Sequence, residues 1–191
     1  MDTKNLLEKL RQEGQAVLNV LEVAGQQEGD RCLQMVREFH ETFNCSIAPE
    51  PVIPHMSPLA LRKLAQLRHM MHQAATVALI FAENHRDDPA GLVFIRLQLI
   101  QEELTELAEA IEANNIVGAL DALGDIDYVV SGAYLTLGLQ DLRLPAVTEI
   151  HRSNMTKLGE DGKPIRNPAG RVVKGPNYQK PNLAQLFDKK D

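Results

Sequence analysis

Five carboxylates stand at spacings that suit shared chemistry. Glu102, Glu103 and Glu106 form an E-E-x-x-E pattern, and Asp121 and Asp125 lie one helical turn apart further on. Residues three and four apart are neighbours on a helix, so Glu102 and Glu103 each stand beside Glu106. Like charges placed this way repel by a few tenths of a kcal/mol per pair in water, and by more where water is excluded. Between Leu97 and Tyr128 there are eight acids and no Lys or Arg, a local charge of −8, so no base in the window relieves the repulsion. Such a cluster stays ionised at neutral pH only around something positive. Oxygen donors without clustered His or Cys select a hard cation, Mg²⁺ or Mn²⁺, which takes one or two carboxylates and completes its shell with water and phosphate oxygens. Di-iron bundles need Glu-x-x-His, a spacing this chain lacks. E-E-x-x-E alone is equally compatible with a solvated acidic face; the second carboxylate pair, on an otherwise apolar helix, favours the metal.

Helices must position these groups. Leu97, Ile100, Leu104, Leu107 and Ile111 recur in steps of three and four, predicting a helix over Leu92–Ala113 whose buried stripe centres near Leu104 and Leu107. A second, more apolar helix is expected over Ile116–Leu137, with Asp121, Asp125, Tyr128 and Gly132 on a narrow stripe. Antiparallel packing across Asn114-Asn-Ile-Val-Gly118 would bring Glu103 and Glu106 to face Asp121 and Asp125. Upstream, Leu6, Leu10, Val17, Leu18 and Leu21 suggest one helix, and residues 30–44 a second. Ala48-Pro-Glu-Pro-Val-Ile-Pro54 cannot be helical, because its prolines remove donors and push their predecessors to extended backbone. Ser57-Pro58 is an N-cap with proline at the first helical position, opening a long helix that holds no Gly or Pro from Leu59 to Arg86. No segment alternates with period two for long enough to require a sheet, so the fold class is all-α.

The chain has 191 residues, 44% hydrophobic and 24% charged, with a net charge of −6, which fits one domain of ordinary size over 1–191. It shows no apolar run of membrane-spanning length and no signal-peptide block at its start, so a cytoplasmic location without membrane association is expected. Cys32 and Cys45 are too few for a disulfide framework and lack C-x-x-C spacing. From His151 to Asp191 nine bases meet four acids, a net +5, among many Gly and Pro. This tail reads as irregular, or as a short hairpin around Arg171-Val-Val-Lys174. The acidic window would repel a phosphodiester backbone, which argues against a nucleic-acid partner. Phe39 and His40 either line a base pocket or pack in the core. His69 and His72 stand three apart and read as ordinary helix histidines before they read as metal ligands.

Taken together, Arg96-Leu-Gln-Leu-Ile-Gln-Glu102-Glu-Leu-Thr-Glu106, Asp121-Ala-Leu-Gly-Asp125-Ile-Asp-Tyr128, His151-Arg-Ser-Asn-Met-Thr-Lys157 and Lys174-Gly-Pro-Asn-Tyr178 resemble the all-α nucleoside triphosphate pyrophosphatase superfamily. That group contains MazG-like proteins, phosphoribosyl-ATP pyrophosphohydrolases and dimeric dUTPases. The resemblance covers about residues 31–54 and 92–183. It leaves 1–30 as an N-terminal extension and 56–91 as an inserted helix, and makes 151–191 a basic tail that closes the site of a MazG-like bundle. It implies that Glu103 and Glu106 bind Mg²⁺ (Mn²⁺ being the alternative), that Asp125 is the aspartate of the family's E-x-x-D, and that Glu102 orients water. Ala122 stands where that motif has its glutamate, so Asp121 is the expected substitute ligand. Asn154 and Lys157, then Arg152 and Lys174, are implied to approach phosphates. Arg96 either joins them or pairs structurally with an acid. The expected function is Mg²⁺-dependent hydrolysis of a (d)NTP to a monophosphate and pyrophosphate by a homodimer or homotetramer. The alternative is a catalytically impaired helical dimer that senses nucleotides or binds other proteins.

Overall fold

Capping and breaker residues set the helix limits in the computed structural model, which describes Gln15 and residues 31–188. The helix read from Leu6 to Leu21 falls outside these residues apart from Gln15. Residues 31–42 are helical (α1) and end at Phe43 and Asn44, the latter at a left-handed φ of 51°. The proline-rich stretch that follows is irregular, as its missing donors require. α2 spans Pro58–Asn84, with the Ser57 hydroxyl accepting from the Ala60 amide at 3.2 Å. α3 spans Ala90–Glu112. α4 spans Ile116–Thr136, where the Asn115 side chain accepts from the Gly118 amide at 3.0 Å and Asn114 makes the reversal at φ 53°.

α5, Arg143–Met155, is an element the sequence reading did not anticipate. Gly138 and Pro145 suggest a break there, yet Pro145 falls in the first turn, where its missing N–H has no intrahelical partner to lose. The tail beyond α5 is irregular, with isolated antiparallel bridges Leu158↔Pro164 and Arg166↔Val172. The second closes the short hairpin expected near Arg171, through Asn167-Pro-Ala-Gly170 with Gly170 at φ 77°. Among the described residues there is no strand and no helix long and apolar enough to cross a membrane, and the architecture is all-α.

The chain forms two compact units, Ala48–Asp141 and the remainder. In the first, α3 packs against α2 on one side and α4 on the other. Small residues fill both seams: Ala75, Ala82, Gly91, Thr105 and Ala108 toward α2, and Ala110, Ala119 and Ala122 toward α4. A Cβ on Gly91 would lie 2.4 Å from the His85 carbonyl, so the α2–α3 turn closes only around a glycine there. Having two neighbours changes which face of α3 is buried. The stripe expected to be buried is partly exposed, at Leu97 and Leu104, because the helix presents small residues on two sides instead of large ones on one. In the second unit, Phe39 stacks on the fully buried Phe43 with centroids 4.3 Å apart. Arg166 holds the end of α1 by donating to the Phe43 and Asn44 carbonyls, which places a cation where a helix leaves its carbonyls unpaired.

Candidate active site

α3 and α4 bring the five carboxylates together. Glu103 sits on the α4 side of α3, partly buried, and its Oε2 is buried without a hydrogen-bond partner among the described residues. Its carboxyl is pushed above the ordinary range, first by burial, then by Glu106, Asp125, Glu102 and Asp121 in falling order. None of these five acids forms an ion pair among the described residues, whereas Glu112 at the end of the same helix pairs with Arg68 of α2 at 2.9 Å. The order of influence also separates the two aspartates. Asp125 acts on Glu103 more strongly than Asp121 does, and both are exposed. Ala122, at the position of the family glutamate, is 2% exposed in the α3–α4 seam.

The three glutamates do not all face one way. At about 100° per residue, Glu102 and Glu106 fall between the α2 and α4 sides of α3. They line a groove of about 280 Å³ with Glu109, Thr105 and Gln98 of α3 and His72, Ala75, Thr76 and Leu79 of α2. Glu102 Oε2 accepts from Gln98 Nε2 at 2.8 Å, which fixes that carboxylate against the groove wall. Among the described residues no three His, Cys, Asp or Glu side chains form a ready-made metal cage.

Arg96 takes a structural position. Its Nε donates to Thr136 Oγ1 at 2.7 Å, and its guanidinium lies across Gly132, where a Cβ would stand 2.7 Å from Nη1. Its partners are thus α4 groups rather than an acid.

The other unit holds the remaining predicted residues, and it sorts them. Lys157 and Lys174 line one cavity of about 440 Å³ with Arg171, Asn167, Val172 and Val173. Gly175 makes this pairing possible: a Cβ there would lie 2.2 Å from the Leu158 carbonyl, so only glycine lets Lys174 follow so closely on the Lys157–Leu158 backbone. Arg171 and Asn167 escaped the sequence reading. The Asn167 carboxamide accepts from the Ala169 and Arg171 amides, a turn whose Asn-Pro-x-Gly composition was the available signal. Asn154 lines a different, mostly apolar cavity with Met35, Val36, Phe39, Val147, Ile150 and His151.

Arg152 is engaged within the unit. Its guanidinium donates twice to Glu149, at 2.8 Å each, and also to Gln179 Oε1 at 3.0 Å and the Lys180 carbonyl at 3.3 Å. Glu149 further accepts from the Asn182 amide at 2.7 Å, and these bonds hold its carboxyl down at about 2. Ser153 donates to the Gln179 carbonyl at 2.7 Å and Thr156 Oγ1 accepts from the Gln179 amide at 2.8 Å, so three residues of α5 and its C-cap Thr156 hold the tail.

Comparison with known proteins gives one family match and two similar proteins. The family described as phosphoribosyl-ATP pyrophosphohydrolase matches residues 64–154, a stretch containing all five carboxylates. The match bears out the resemblance to the all-α NTP pyrophosphatase superfamily. It also takes in most of α2, which the sequence reading left outside the family pattern. An uncharacterized protein of Acanthamoeba polyphaga mimivirus is 43% identical over 68 residues, 36% of this chain and 26% of that protein, so the chain matches only about a quarter of this relative's length. A solved structure from Exiguobacterium sp. 255-15, provisionally described as an NTP pyrophosphohydrolase, is 26% identical with a TM-score of 0.47, covering 81% of this chain and 90% of its own.

Proposed function

We propose that the protein is a Mg²⁺-dependent nucleoside triphosphate pyrophosphohydrolase. The observation that carries this reading is the buried Oε2 of Glu103, orphaned among the described residues, with four more carboxylates around it and no base among their partners there. An all-oxygen donor set with an unsatisfied buried acceptor fits a hard divalent cation. Glu103 and Glu106 would hold it, and Asp125 and Asp121 would act through its water shell or a second ion. When bound, such an ion offsets the repulsion among the acids, polarises a phosphoryl oxygen and makes water more acidic. Glu102, whose carboxylate accepts from Gln98, would take a proton from water as it adds to phosphorus. The bond that breaks links the α and β phosphates, giving a nucleoside monophosphate and pyrophosphate. In the other unit, Lys157, Lys174 and Arg171 line a basic cavity of the charge that phosphates need, and Arg152 positions the tail that carries Lys174.

Association into a homodimer or homotetramer belongs to the same proposal. Val117, Leu120 and Tyr128 form an apolar stripe on α4, 73%, 72% and 80% exposed, beside Asp121 and Asp125. A second copy covering it would exclude water next to the carboxylates. A second reading, a nucleotide sensor without turnover, is favoured by the buried Ala122 alone. Pyrophosphate release from a panel of canonical and modified nucleotides with Mg²⁺ decides between them. Turnover of at least one supports the enzyme, and metal-dependent binding with no turnover of any supports the sensor.

A further inference from the structure

In the unit built from α1, α5 and the tail, two cavities of opposite character are linked by Lys157. The first is walled by Met35, Val36, Phe39, Val147 and Ile150, with two polar groups on its lining, Asn154 and His151, the latter held 3.1 Å from Glu38 Oε2 through its Nε2. The second is lined by Lys157, Arg171 and Lys174 and by no acid. Lys157 lines the second, and its ammonium lies 5.9 Å from the ring centroid of Phe39, a wall of the first.

The Asn154 carboxamide has no hydrogen-bond partner among the described residues and stands on an apolar wall with no Lys or Arg beside it. A phosphate bound there would lose its hydration against valine and isoleucine, with His151 already paired to Glu38 and Lys157 turned to the second cavity, a large cost for a charged group. A carboxamide offers a donor and an acceptor together, which matches base edges and sugar hydroxyls, whereas phosphate oxygens only accept. The mixed pattern of apolar walls and two polar groups, Asn154 and His151, is also that of a small-molecule site.

We propose that the first cavity takes the nucleoside part of a nucleoside polyphosphate whose phosphates occupy the second, so that Asn154 and Phe39 read base and sugar while Lys157, Arg171 and Lys174 read charge. This rests on the reading of the protein as one that acts on nucleotides, and it moves Asn154 from the phosphate group to the nucleoside group. Arg171 joins the phosphate group, its backbone fixed by the 2.9 Å bond from its amide to Asn167 Oδ1.

The test is calorimetric binding to the full chain in EDTA, where no turnover occurs, with two probes: a panel of α,β-methylene nucleoside triphosphates and inorganic tripolyphosphate. Asn154→Ala is expected to weaken at least one nucleotide about tenfold, the scale of one well-placed hydrogen bond to a ligand, and to leave tripolyphosphate within a factor of two. Lys157→Ala and Arg171→Ala are expected to weaken both probes. Val36→Trp fills the first cavity from an exposed position and should act as Asn154→Ala does, covering the case in which Phe39→Ala disturbs α1. Equal weakening of tripolyphosphate and nucleotide by Asn154→Ala overturns the assignment, as does wild-type protein that binds neither probe. If the binding pattern holds and Mg²⁺ brings no pyrophosphate release, the activity reading fails and this one stands.

Discussion

Glu103 and Glu149 are the same residue type on helices of the two units, both largely withdrawn from water, and their surroundings push them in opposite directions. Glu149 has an arginine three residues on and a backbone amide from the tail, and its carboxyl falls to about 2. Glu103 has four acids and an orphaned oxygen, and its carboxyl rises. The first charge is already complete within the protein and serves to fasten the tail. The second is incomplete, and the folded chain bears its cost. That difference separates the acid that builds the protein from the acids available for chemistry.

The largest effect expected from breaking this contrast is on turnover. Glu106→Gln or Asp125→Asn should lower Mg²⁺-dependent pyrophosphate release by about 100-fold or more, with the circular dichroism spectrum unchanged; near-wild-type rates would remove the carboxylates from the chemistry. Next, saturating Mg²⁺ should raise the melting temperature of the wild-type protein by several degrees, because an ion that binds only the folded state stabilises it by about 2.7 kcal/mol at 100 times its Kd. Glu103→Gln should lose most of that rise, and an equal rise in both proteins would place the ion elsewhere.

A smaller effect belongs to the other glutamate. Glu149→Gln should lower the melting temperature by a few degrees and speed amide exchange at Gln179 and Asn182, with or without Mg²⁺, since it unfastens the tail. Unchanged exchange there would mean that the Arg152 pair holds nothing. The smallest effect is in pH dependence, measured with metal chelated. A lowered carboxyl contributes stability that is present above its unfolded value near 4.5 and is lost as pH falls toward about 2. A raised one works the other way, so protonating Glu103 relieves the folded state as pH falls through its raised value. Glu149→Gln should flatten the loss of stability below pH 4.5, and Glu103→Gln the gain just above it. Exchanged or parallel effects would contradict the two environments.

Much of this was legible in the sequence because it depends on near neighbours. Helical spacing put Glu102 and Glu103 beside Glu106, and Asp121 beside Asp125; Ser57-Pro58 and Asn114-Asn115 set where helices begin and turn. α5 was not legible, since Pro145 reads as a breaker until its place in the first turn is known. Which face of α3 is buried was not legible either, because periodicity shows an apolar stripe but not that two small-residue seams will take its place.

The sequence by itself determined the helical class, the carboxylate pairs and the opposed charges of window and tail. Only the tertiary structure decided that Arg152 is held by Glu149, that Asn154 and Lys157 line different cavities although three residues apart, and that Glu103 keeps a buried oxygen unpaired. The physical reason is range. Helix geometry fixes neighbours within a turn or two, whereas the burial and pairing of a charge depend on groups brought from distant parts of the chain, as the Asn182 amide is brought to Glu149.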